Sequence, residues 1–104
     1  MKSTDGDVLR AAIEFYGEES QLKMLLEEMS ELQKEVCKHW RGEDNLAHLA
    51  EEIADVEIML EQTKMIFDLN ASVFWYRKAK LNRLEERILT ETEIDRGDSD
   101  GGTD

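Results

Sequence analysis

The stretch "SQLKMLLEEMSELQKEV" (Ser20–Val36) reads as one face of a helix. Leu22, Leu25, Met29, Leu32 and Val36 follow alternating steps of three and four, the spacing of an apolar stripe at 3.6 residues per turn. Inside that stripe, "LLEEMSEL" (Leu25–Leu32) carries three glutamates. Twenty-four residues on, "LAEEIADV" (Leu49–Val56) repeats the pattern with aspartate as its third acid. Its own stripe is Leu46, Leu49, Ile53, Val56, Leu60 and Phe67. A third segment, less regular, places Phe74, Leu81, Leu84 and Ile88 on a further helix.

Punctuation supports this reading. There is no proline, and Gly42 in "RGEDN" is the sole glycine between Glu18 and Arg96, where a helix C-terminal glycine belongs. Asp44 or Asn45 is placed to cap the helix that follows, and Asn70 or Ser72 in "FDLNAS" to cap the next. The spacing predicts a short helix at about 6–16, ended by Gly17, and long helices at about 18–41, 45–68 and 71–94. The fold class is all-α: an antiparallel bundle of three long helices plus the short N-terminal one, in a single domain over 1–95. Residues 96–104, in the polar, glycine-rich "DRGDSDGGTD", are expected to form a disordered acidic tail.

At 104 residues one core is possible but thin, so a homo-oligomer, dimer or tetramer, is expected to cover the remaining apolar surface. Net charge is −12, from 25 acids against 13 bases, which argues against a nucleic-acid partner and suits a site that collects cations. The single cysteine, Cys37, expected to be buried or half-buried, excludes an intrachain disulfide and fits a reducing compartment. No apolar run reaches membrane-spanning length and "MKSTDGDV" lacks a signal-peptide core, so no membrane partner and a cytoplasmic location are expected.

On a helical wheel Glu28 and Glu52 each fall roughly 80° from the centre of their own stripe, and Glu31 and Asp55 roughly 140°. If the two helices pack antiparallel through their stripes, the two pairs converge beside the seam. Four gathered carboxylates repel, and oxygen-only ligation is what Mg²⁺ prefers, with Mn²⁺ as the second choice. Surface acids on strong helix formers are the plain alternative.

These motifs resemble the Glu-Glu-x-x-Glu … Glu-x-x-Asp signature of MazG-like all-α nucleoside triphosphate pyrophosphohydrolases, here "EEMSE" and "EIAD". The flanking "YG…SQLKMLLEEMSELQKEVCKHWRG", "LAEEIADVEIMLEQ" and "KAKLNRLEERI" extend the likeness over roughly residues 13–90. The resemblance implies hydrolysis of a deoxy or non-canonical nucleoside triphosphate to monophosphate and pyrophosphate. It makes Glu28, Glu31, Glu52 and Asp55 the metal ligands, and Glu27, with Glu28, the catalytic acids that orient water or hold a second ion. It also places substrate-binding bases near the last helix, where Lys78, Lys80 and Arg83 lie. Trp40, Trp75 and Tyr76 are candidates for stacking the base. A di-iron carboxylate bundle would need Glu-x-x-His, which neither histidine supplies. From another class, a non-catalytic helical interaction module would keep the fold and use its acidic face on a basic partner.

Overall fold

The computed structural model describes residues 2–102, with side chains described as far as Asp95. It is all-helical, in the order α1 (Asp5–Tyr16), α2 (Glu18–Trp40), α3 (Leu46–Ile66) and α4 (Asn70–Gly102). There is no strand among the described residues. None of these helices is long and apolar enough to cross a membrane.

Each break has a local cause. α1 begins with a capping box: Thr4 Oγ1 accepts from the Asp7 N–H at 3.0 Å, and Asp7 Oδ2 accepts from the Thr4 N–H at 3.1 Å. The bond from the Thr4 N–H, and after it the Thr4 hydroxyl, hold the Asp7 carboxyl below its usual range. α2 ends in a Schellman motif, with the Glu43 N–H on Lys38 O and the Gly42 N–H on His39 O. Gly42 has φ 97°, in the left-handed region that disfavours any side chain. α3 ends the same way, through Leu69 N–H to Lys64 O and Asp68 N–H to Met65 O. Here the left-handed residue is Asp68, at φ 52°, a conformation that aspartate tolerates better than most. Where the sequence predicts an end near residue 94 and an irregular tail, the backbone of α4 runs on to Gly102. Without a proline to stop it, a formed helix gains one hydrogen bond for each residue added. Residues 103 and 104 lie outside the described residues.

The chain divides into two compact units, one up to Leu69 and one from Asn70, the latter being α4. In the first, α2 and α3 form the principal pairing and α1 packs on both. The pairing is antiparallel, since Glu35 near the end of α2 meets Asn45 at the start of α3.

The seam between α2 and α3 is not centred on the apolar stripes. Its buried residues are Gln21 on α2 and Val56 and Gln62 on α3, with Asn45 at the turn. Part of each stripe faces outward, with Met29 42% exposed, Val36 48%, Ile53 42% and Leu60 45%, while Leu22, Leu25, Leu32 and Leu49 are half-buried and Val56 is buried. Both helices are thus rolled toward their acidic flanks, relative to the packing expected from the stripes. Val56 is the only buried large apolar residue among those described.

Candidate metal centre

That roll carries Glu28, Glu52 and Asp55 into the seam rather than beside it. One carboxylate oxygen from each lies within 4.8 Å of the others, and all three residues are half-buried. Glu28 comes from the middle of α2, and Glu52 and Asp55 from one flank of α3, one turn apart. Glu52 Oε2 is buried without a hydrogen-bond partner. Burial first, then the charge of Asp55, then the neighbouring Glu52 carboxyl, push the Glu28 carboxyl above its usual range.

Among the described residues no salt bridge reaches these three acids. Lys34 pairs with Glu31, Lys38 with Glu35, Lys23 with Glu19 and Lys64 with Glu61, all within one helix. A structural role for the three acids would call for a buried cation beside them, as an ion pair must be satisfied to be tolerated in a seam. Their surroundings instead leave an acid cluster with an orphaned oxygen.

The donor set fits a hard divalent cation. All donors are oxygens, and Mg²⁺ bonds at about 2.1 Å, which sets ligand oxygens roughly 3–4.2 Å apart. Oxygens already within 4.8 Å reach that spacing by small side-chain rotations. Three protein carboxylates would leave coordination positions for water and phosphate, as Mg²⁺ sites generally do.

Glu31 is not brought into the cluster. Its Oε1 lies 3.2 Å from Lys34 Nζ, and its side chain is half exposed. A fourth carboxylate approaching three unneutralised ones is repelled, and a lysine one turn away on the same helix offers it a partner. Glu27, one residue before Glu28 and about 100° round the helix, is exposed. Lys78, Lys80 and Arg83 are exposed on α4, where Lys78 Nζ sits 5.8 Å from the Trp75 ring centroid and 6.0 Å from that of Phe74. Trp40, Trp75 and Tyr76 are exposed, as are His39 and His48. Cys37, expected to be buried or half-buried, is instead exposed. It lines an apolar groove with Met29, Leu32, Val36 and Val56, because the roll of α2 turns that flank outward.

Sequence reasoning missed Gln21, Gln62 and Asn45 as seam residues. A signal was present: Gln21 and Glu35 stand seven residues either side of Glu28, while Asn45 is seven before Glu52 and Gln62 seven after Asp55. Seven residues are close to two turns, so these polar residues share a helix face with the acids. Neither known protein families, nor curated proteins, nor solved structures include a match to this chain.

Proposed function

We propose that this chain is a divalent-cation-dependent nucleoside triphosphate pyrophosphohydrolase of the MazG-like kind, releasing monophosphate and pyrophosphate from a deoxy or non-canonical nucleotide. The observation that carries the reading is the convergence of Glu28, Glu52 and Asp55 within 4.8 Å, half-buried and, among the described residues, in no salt bridge. Surface acids on solvated helices have no reason to meet across a seam, where their repulsion costs stability.

Glu28, Glu52 and Asp55 would hold Mg²⁺ or Mn²⁺, and Glu31 would join them on leaving Lys34. The bound ion would supply the positive charge that the phosphates and the developing negative charge require. Glu27, adjacent in the chain but outside the trio, takes the proton of the attacking water or orients it, a carboxylate's usual part in such hydrolysis. Glu28, beside it in the chain, is the other candidate for that role. Lys80 and Arg83, spaced i, i+3 on α4, are assigned to phosphates that the ion leaves uncovered, with Lys78 beside them.

The outward stripe of Met29, Val36, Ile53 and Leu60 supports completion of a MazG-like bundle as a homo-oligomer, a dimer or a tetramer. The exposed free thiol of Cys37 suits a reducing, cytoplasmic setting. Exposed aromatic residues such as Phe15 and Trp40 favour a second reading, a helical interaction module without catalysis. Pyrophosphate release from a panel of nucleoside triphosphates, with Mg²⁺ and with chelator, separates the two. Metal-dependent release from at least one nucleotide is expected, and no turnover of any would leave the interaction module.

A further inference from the structure

Asn45 occupies the N-cap position of α3, where asparagine is favoured because its side-chain oxygen accepts a backbone N–H of the first turn. It makes no such bond here. Its carboxamide is turned across the chain reversal instead. Nδ2 donates to the main-chain oxygen of Glu35 at 2.9 Å and to Glu35 Oε2 at 2.6 Å. Asn45 is 7% exposed, and its Oδ1 is buried without a partner. A local cap and one hydrogen bond are thus given up for a link between helices.

The place of that link matters. Glu35 lies seven residues after Glu28 on α2, and Asn45 seven before Glu52, so the link and the acids occupy one face of the same seam. They are separated by two turns, about 10 Å. A slip of one residue between the helices would shift α3 by about 1.5 Å and turn its face by about 100°, taking Glu52 and Asp55 away from Glu28. Polar groups buried at a single seam position are a known means of fixing register at a cost in stability.

We propose that Asn45 is a positioning residue for the acidic cluster: its bridge to Glu35 sets the α2–α3 register that brings Glu28 against Glu52 and Asp55. Its value to the protein rests on the reading of that cluster as a cation site, whereas the register itself does not.

The test uses the full chain with Asn45→Ser, which keeps an N-cap side chain too short to reach Glu35, and Asn45→Asp, of the same shape but with no N–H to donate. Glu35→Gln is the conservative control, since its main-chain oxygen and its one amide oxygen can still accept from Asn45 Nδ2. Mn²⁺ affinity is measured by calorimetry at a temperature where circular dichroism shows full helix content. In parallel, nuclear Overhauser contacts between the Glu28 side chain and those of Glu52 and Asp55 are recorded in metal-free protein. Both Asn45 variants should bind Mn²⁺ about tenfold more weakly, the scale of losing a ligand-orienting partner, and should lose those contacts. Glu35→Gln should keep both. Wild-type affinity and intact contacts in the Asn45 variants would overturn the proposal. So would an equal loss in Glu35→Gln, which would trace the effect to charge, or failure of both Asn45 variants to fold, which would make the bridge a support of the fold alone. A wild-type chain that binds no Mn²⁺ sinks the cation site, and the contacts then decide the register claim by themselves.

Discussion

Replacing Asp55 by asparagine removes one charge from the seam with almost no change of shape, and in chelator it is expected to stabilise the fold. The magnitude follows from the geometry. Two carboxylates whose oxygens lie within 4.8 Å repel by roughly 3.5 kcal/mol at an effective dielectric of about 20. The three residues are only half-buried, so solvent screening reduces this to about 1 kcal/mol for each pair. Asp55 faces two partners, so the net relief near neutral pH should be about 1–2 kcal/mol, a rise of roughly 5–10 °C in melting temperature for a domain of this size. Mg²⁺ should then reverse the order. At a hundred times its dissociation constant, an ion that binds only the folded chain stabilises it by about 2.7 kcal/mol. The wild type should show that rise and Asp55→Asn little of it, together with loss of turnover. Glu52→Gln should behave alike. Melting curves by circular dichroism, in chelator and in Mg²⁺, provide the assay. An Asp55→Asn chain melting well below wild type in chelator would mean that the carboxylate holds the fold together. Equal Mg²⁺ shifts in both chains would mean that Asp55 is no ligand.

The raised pKa of Glu28 gives a pH test with a definite sign. Between the ordinary glutamate value of about 4.3 and its higher folded value, the metal-free fold binds more protons than the unfolded chain. The contribution of Glu28 is therefore full below that window and is lost as pH rises through it. Glu35, whose carboxyl is lowered first by its bond from Asn45 and then by Lys38, has the opposite sign, its contribution being lost on acidification. The difference in stability between wild type and Glu28→Gln, followed across the acid range in chelator, should isolate the first effect, and a pH-independent difference would contradict it. Gln62→Leu should raise stability by about 1–2 kcal/mol, because Gln62 Oε1 is buried with no partner, and a fall in denaturant midpoint would show that the amide makes a needed bond. Asp68→Gly should add about 0.5 kcal/mol by relieving the left-handed backbone at the end of α3, measured by chemical denaturation, with destabilisation as the contrary result. Lys80→Ala or Arg83→Ala should lower kcat/KM by about one to two orders of magnitude, equivalent to roughly 1.5–3 kcal/mol of charged hydrogen bonding, with helix content unchanged. Wild-type kinetics in both would mean that neither residue touches the substrate.

Much of the helical plan could be read directly from the chain, because helices are local objects. Three-and-four spacing, Gly17 and Gly42 as stops and the turn at "FDLN" place the observed starts and ends of α1 to α3 within two residues of those expected. The two acidic motifs were legible for the same reason, since i, i+3 spacing puts both acids of a pair on one flank whatever surrounds them. The face that α2 and α3 turn to each other was not legible. A stripe says which side of a helix avoids water, but not which of several neighbours it avoids water against. Rolling both helices partly off their stripes put Gln21, Gln62 and Asn45 in the seam beside Val56 and left Met29, Val36, Ile53 and Leu60 half exposed. That roll, together with the bridge from Asn45 to Glu35, made Glu28, Glu52 and Asp55 meet. The parting of Glu31 from the other three was likewise a tertiary matter. Its wheel position mirrors that of Asp55, but mutual repulsion among acids and the lysine one turn away decided where its carboxylate points.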